Sequence, residues 1–500
     1  MLSRNAWKYI YVPVIAGLLT TGCGKDFLDL NPEATINGDA FYKNETEIKQ
    51  AVNAAYNVLQ DLGRESYWIF GEMRSDNTAF QYNTADRGRE QWEFVDEFLV
   101  GATAECISNF WRNSYTGISR CNDVLTYITG VEMTDDARNQ YTGEVEFLRA
   151  FHYFNLVRQF GGVPLRLEAV QSPDAALSEG RATADEVYTA IIADLADAAE
   201  KLPPNYTGAD LGRATEGAAR TLLAKVYLTQ KKYTEALAEL RKVTALGYHL
   251  LPDYAAVFDP GNKNHAESIF EIQYLGAQTG LFSNFMYTFA PYTSGSSVTG
   301  DTKTGINGSG SGWNIPTQDM IAAYEAGDKR KAVSLAEGYT GSDGVFVNIP
   351  YVKKYNHGFV EVGRTNDNFP VLRYADVLLM MAECLNEQGF VANGEAFDLL
   401  NQVRERAGLP ARTAQDLPTQ AAFRDAVFHE RQVELAFENH RWYDLLRTGN
   451  AVAIMNAHGA REKQQHAYIP SNAYQVTSNR LLLPIPQTDV NLDNLEQNPQ

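Results

Sequence analysis

Apolar residues recur at helical spacing through the first two hundred positions of the chain. In ETEIKQAVNAAYNVLQDL, Ile48, Val52, Ala55, Tyr56 and Leu59 share one face with no proline among them, which predicts a helix over 45–62. Similar runs predict helices over 104–129, 136–160 and 183–201. Further on, the pattern pairs up. AARTLLAKVYLTQKKYTEALAELRKV sets Leu223, Ala224 and Tyr227 on a first helix and Ala236, Leu240 and Val243 on a second. These are the offsets of a tetratricopeptide pair, in which small residues let two helices cross closely and large ones fill the gaps. LLMMAECLNEQGFVANGEAFDLLNQVRERAGLP repeats the arrangement through Met381, Ala382 and Leu385, then Ala396, Leu400 and Val403. VEFLRAFHYFNLVRQF adds another first helix through Ala150 and Tyr153. Stacked pairs bury each other's apolar faces, so several together predict a small solenoid.

The middle of the chain changes period. SIFEIQY alternates through Ile269, Phe270, Ile272 and Tyr274, as a strand does, and then gives way to LFSNFMYTFAPYTSGSSVTGDTKTGINGSGSGWN. So much Gly, Ser, Thr and Asn predicts a long loop excursion without a packed element, and loops of that length are usually functional or disordered. The expected organisation is a leader over 1–22, a tether over 23–43, a helical scaffold over 44–267, a loop-rich ligand-binding region over 268–370, and a C-terminal helical scaffold with its tail over 371–500.

The leader is read from MLSRNAWK, with Arg4 and Lys8 and no acid, followed by the apolar run Tyr9–Leu19, too short to span a bilayer. Thr20, Thr21 and Gly22 lead into Cys23, the pattern of a lipoprotein signal, in which the thiol takes a diacylglyceryl thioether; the alternative is a buried Cys behind an ordinary leader. Several acyl chains on Cys23 would anchor the protein through lipid alone. Losing Arg4 and Lys8 takes the net charge from −19 to about −21. Such a surface repels nucleic-acid phosphates and anionic headgroups. Cys106 and Cys121 fall in one predicted helix, roughly 22 Å apart, and Cys384 in another, so no disulfide and no zinc spacing is expected.

No catalytic or cofactor motif stands out. HERQV at His429–Val433 lacks the second His of HExxH, and His440, about 16 Å further along what reads as the same helix, is too far to share a metal. That segment reads instead as structural, with Glu438–Arg441 and Asp444–Arg447 as i,i+3 pairs. GINGSGSG lacks the Lys-Ser/Thr ending of a phosphate cradle, and DTKTG at Asp301 carries Lys303 where a calcium loop needs Asp or Asn. Paired carboxylates for glycoside hydrolysis cannot be argued from sequence spacing.

Sugar binding is a better match to the composition, because sugar CH faces stack on aromatic rings while hydroxyls seek Asn, Asp and Arg. RSDNTAFQYNTADRGREQW offers Asp76, Asn77, Tyr82, Arg87 and Trp92; the central excursion offers Tyr287, Tyr292, Trp313 and Asn314. Trp313, set in SGSGWN, is the aromatic expected to be most exposed.

Five segments then carry a family likeness in order along nearly the whole chain: Cys23 followed by KDFLDLNP, RAFHYFNLVRQFGGVPL, PVLRYADVLLMMAECLNE, HERQVELAFENHRWYDLLRTG and LLLPIPQTDVNLDNLEQNP. Together they resemble the RagB/SusD family of surface nutrient-binding lipoproteins. The resemblance implies a mostly α fold, a scaffold of tetratricopeptide-like helix pairs supporting a variable, loop-rich region with minor β. It implies binding of oligosaccharide, or in some members peptide, and a SusC-type TonB-dependent outer-membrane transporter as partner. Lys25 and Asp26 resemble the short signal that directs such lipoproteins to the cell surface. The rival readings are a peptide-binding member of the same family, a helical scaffold of envelope assembly, and a surface hydrolase.

Overall fold

The computed structural model describes residues 41–84, 89–170, 180–302 and 310–500. It is mostly α. Helices α1 (Glu45–Glu65), α2 (Glu105–Tyr127), α3 (Asp135–Phe160), α4 (Ala184–Lys201), α5 (Glu216–Thr229) and α6 (Tyr233–Thr244) follow within a residue or two the bounds that periodicity predicts, α1 running three residues further. Their starts are set locally. Asn44, Thr134, Thr183 and Thr215 each cap a helix by accepting from the backbone N–H three residues on, and Glu186 completes a capping box with Thr183.

Each helix packs against the next, α1 on α2 through to α5 on α6, and the stack then continues onto α7 (Tyr374–Gln388) and α8 (Glu395–Arg406), with α9 (Gln420–Glu434) against α7. This is the predicted solenoid. Ala150, Leu223, Ala224, Ala236, Leu240, Val243, Met381, Ala382, Leu400 and Val403 are all buried at the crossings. The segment RAFHYFNLVRQF becomes the C-terminal half of α3, buried on every side but one at Arg158. Its polar residues are matched inside: Arg149 grips Asp194 of α4 through two bonds of 2.8 and 2.7 Å and donates to Asn122 of α2. Gly117 of α2 lies so near His152 that a Cβ there would stand 2.1 Å from the imidazole Nε2, so the glycine sets how closely α2 and α3 approach.

The excursion leaves between α6 and α7 and returns to where it began. Strand β1 (Ser268–Ile272) pairs antiparallel with β2 (Phe369–Arg373), which runs directly into α7. Both faces of β1 are buried, including Glu271. The excursion departs from expectation in one respect. LFSNFMYTFA was expected to stay unpacked, yet Phe285–Phe289 is a short helix buried against Trp68, Tyr355 and Phe369. Its aromatics outweigh the Gly- and Ser-rich context, since each adds apolar area that only a core can cover. Cys106 and Cys121 do share α2, and both are buried, as is Cys384.

A second correction concerns HERQVELAFENHRWYD. It is not one helix: α9 ends at Glu434 and α10 (Arg441–Thr448) begins after a turn in which Phe437 and Asn439 take φ of 67° and 66°. Glu72, fully buried, holds that turn by accepting the N–H groups of Phe437 and Asn439 at 2.9 and 3.0 Å. Asp444–Arg447 is paired as expected, but Glu438 is not bonded to Arg441; it meets Lys354 and Arg373, while Arg441 reaches Asp76. The turn swings Glu438 inward, where i,i+3 spacing no longer applies. His440 instead contacts Lys225 of α5 at 3.0 Å.

Candidate binding cleft

The two stretches singled out in the sequence are brought together. Thr78–Ala79 forms a short antiparallel ladder with Ile315–Pro316, Gln81 N–H donates to the Gly312 carbonyl at 2.8 Å, and Tyr292 N–H donates to Gln81 Oε1 at 2.9 Å. Below this seam the ladder is bolted to the scaffold. Arg441 holds Asp76 through two bonds of 2.8 Å, and Asn77 donates to Glu72 at 2.7 Å and accepts from Gln432 at 3.0 Å. Burial raises the Glu72 carboxyl to about 7 in spite of the N–H groups it accepts from Asn77, Phe437 and Asn439.

The seam separates the sequence-predicted residues by direction. Asp76, Asn77, Trp92, Tyr287 and Asn314 are buried. Trp92 sits edge-on to Trp68 and to Trp313, and the Tyr287 hydroxyl donates to Asp301 at 2.7 Å. Tyr82, Tyr292 and Trp313 are half-buried at the surface. Trp313 is therefore less open than its glycine-rich setting suggests, because Trp92 and the guanidinium of Arg89, 5.3 Å from its ring centre, cover part of it. Arg87 and Cys23 lie outside the described residues.

Beside the seam is a cleft of about 280 Å³, walled by Gln81, Tyr82 and Ile315–Gln318 on one side and by Glu462, Gln465, His466 and Tyr468 on the other, with Asn348–Pro350 at one end. The second wall is the end of α11 (Ala451–Gln465) and the segment after it. Asp319 fixes its position by accepting from His458 at 2.6 Å and from Arg461 at 2.8 Å. Burial opposes the charge on Asp319, and His458 and Arg461 override it, lowering the carboxyl to about 2. Where the two walls meet, Tyr82 and Tyr468 stack in van der Waals contact, centroids 4.1 Å apart and planes 14° from parallel. Tyr468 is 40% exposed, and burial, then Asp96 and Glu462, push its phenol upward.

A stacked tyrosine pair rimmed by amides, one imidazole and one carboxylate can hold a ligand with apolar faces and many hydroxyls. Sequence reading missed the far wall. QQHAYIP at 464–470 has the same mixture of amide and aromatic that singled out the other two stretches, but it follows a helix and adjoins no glycine-rich loop.

Two family models match separate segments of the chain. The one described as "SusD family" covers residues 336–500, and the one described as "Starch-binding associating with outer membrane" covers residues 26–228. SusD-like protein P25 of Formosa agariphila is 28% identical over 513 residues, taking in 93% of this chain and 94% of the relative. The chain belongs to the SusD/RagB family. A SusD-like protein of Bacteroides ovatus is 27% identical, covering 87% of this chain and 82% of its own. Among solved structures, a "Laminarin binding SusD-like protein" is similar with a TM-score of 0.76 at 27% identity, covering 92% of this chain and 100% of that one. Surface glycan-binding protein A from Bacteroides uniformis gives 0.75 at 26%, covering 91% and 99%. The SusD-like architecture is thus the predicted one, and one of the two family descriptions ties such chains to the outer membrane. Among the described residues no helix is long and apolar enough to cross a membrane.

Proposed function

We propose that this SusD-like chain is a non-catalytic cell-surface lipoprotein, anchored through Cys23, that binds an oligosaccharide in the Tyr82–Tyr468 cleft and passes it to a SusC-type TonB-dependent transporter. The observation that carries the reading is the stacked tyrosine pair, half open to solvent, with Gln81, Gln318, Asn348, Glu462, Gln465 and His466 arranged around it. The ring surfaces that the pair leaves uncovered supply apolar contact, and the rim supplies acceptors and donors for hydroxyls. Tyr292 and the residue before Trp313 are bonded to Gln81, and both aromatic side chains are half-buried. The description of one similar structure as laminarin-binding adds support. A handed-on ligand calls for modest affinity, because it must leave on the time scale of transport.

The test is affinity electrophoresis in gels containing plant, microbial and host polysaccharides, with laminarin among them. One polysaccharide should retard the wild-type protein, and the double variant Tyr82→Ala, Tyr468→Ala should run as in an empty gel. Retardation that survives in the double variant would move the site elsewhere. A co-purification from outer membranes, using the wild-type chain as bait, should bring down a TonB-dependent transporter; its absence would remove the delivery step.

A further inference from the structure

Among the described residues Phe346 is the most exposed large aromatic, at 62%, and it stands on a short hairpin joined to residues that line the cleft. The hairpin is stiff. Tyr339 and Thr340 pair with Val347 and Phe346, Leu335 and Ala336 pair with Val352 and Tyr351, and the tip is closed by Gly341 N–H to the Val345 carbonyl at 2.8 Å and by Val345 N–H to Asp343 Oδ1 at 3.0 Å. The Phe346 ring lies against Gly338: a Cβ built there would be 2.5 Å from Cζ and 3.0 Å from Cε1. A side chain at 338 would displace the ring, so the glycine gives it a seat. The base is fixed as well, since the Tyr339 hydroxyl donates to Thr293 Oγ1 at 2.9 Å, next to Tyr292.

The strand that carries Phe346 runs on into Asn348, Ile349 and Pro350 at the end of the cleft. Alternation along extended backbone puts Phe346 on the side shared with Asn348 and Pro350, about 13 Å from Pro350 along the strand. An apolar ring held by a rigid element and left in water is arranged to be covered by something that arrives.

Resting on the reading of the cleft as an oligosaccharide site, we propose that Phe346 is an outer stacking position that binds a sugar ring beyond those held at Tyr82 and Tyr468, and so selects longer chains over short ones. It faces no formal charge on its own hairpin strand between Val345 and Val352, which suits an uncharged ring.

The experiment is calorimetry on the full chain with disaccharides and hexasaccharides of three neutral series: β-1,3-glucan, α-1,4-glucan and β-1,4-mannan. In the series that binds, the wild-type protein should prefer the hexasaccharide. Phe346→Ala should weaken the hexasaccharide about tenfold, the loss of one stacked ring, and leave the disaccharide unchanged, while Phe346→Tyr should keep the wild-type preference. The proposal is overturned if Phe346→Ala binds the hexasaccharide as the wild type does, in which case the ring serves a protein contact, or if both lengths weaken equally. Failure of the wild-type chain to bind any of the three series would overturn the neutral-glycan reading of the cleft, and the outer position with it.

Discussion

At the base of the excursion Glu434 is fully buried and touches three guanidiniums, those of Arg330, Arg373 and Arg406. At its rim Tyr82 and Tyr468 stack on each other and meet solvent. The base is polar and inside; the rim is aromatic and outside, the reverse of the usual distribution. Around Glu434 the charges are closely matched: Glu267 meets Arg373 and Arg406, Glu438 meets Arg373 and Lys354, and Asp328 and Glu430 meet Arg330. Burial works to raise the Glu434 carboxyl, and Arg406, Arg373 and Arg330 together hold it well below the usual carboxylate range. Burial also pulls Lys354 down to about 8 against the pull of Glu438. Such a network tolerates only one arrangement of β2, α8, α9 and the 328–354 segment, because each displaced charge would be left alone in a dry interior. The rim needs no such matching. Its side chains reach solvent, Tyr468 being 40% exposed.

That contrast can be broken from the base upward. Glu434→Ala takes the shared carboxylate from three buried guanidiniums, leaving Arg330, Arg373 and Arg406 with only their other partners, and should cost about 3–5 kcal/mol in chemical denaturation, the largest effect expected. Trp92→Ala empties a buried site between Trp68 and Trp313 and should cost about 3–5 kcal/mol as well, with Trp313→Ala costing clearly less, since Trp313 is half-buried. Equal losses for the two tryptophans would show that the seam is as tightly packed as the core.

Glu72 sharpens the comparison by pH. Its folded-state value, raised to about 7 from an ordinary 4.5, means that the folded protein binds the extra proton between those limits. Its contribution is therefore fully present below about pH 4.5 and lost as pH rises through 7, on the order of 3 kcal/mol. Across that window the stability of Glu72→Gln should change with pH by a more positive slope than that of the wild type; parallel slopes would mean Glu72 does not titrate there. Gly117→Ala, which drives a methyl into His152, should cost about 1–3 kcal/mol. The smallest stability change, within about 1 kcal/mol, is expected for Tyr82→Ala with Tyr468→Ala, and it should accompany the largest loss of glycan retardation. A double variant that unfolds would place those rings in the scaffold.

The helices were legible because each one's apolar spacing is decided within its own turn of chain, as in α1 and α3, and the paired motifs carried the crossing residues with them. The break between α9 and α10 was not, because it depends on Glu72, more than 360 positions away, gripping the Phe437 and Asn439 amides. The cleft was half legible. Tyr82, Tyr292 and Trp313 were named from composition, but composition cannot say that Asp76 would turn to Arg441 or Tyr287 to Asp301. Tyr468 is not legible in the sequence, because only tertiary pairing through Asp319, His458 and Arg461 brings the end of α11 against Tyr82.

The pairing of β1 with β2 pinches the excursion at its neck, so that α6 and α7 stack as neighbours whatever lies between. Closing a longer loop on ends that are already held together adds only a slowly growing entropic cost. Length beyond the neck is thereby free to vary while the helical stack is kept, provided that Arg330 and Lys354, which lie beyond the neck, still reach Glu430, Glu434 and Glu438. A chimera that carries another family member's segment between Ile272 and Phe369 should fold on this scaffold only if that segment brings its own cations for Glu430, Glu434 and Glu438, the partners of Arg330 and Lys354.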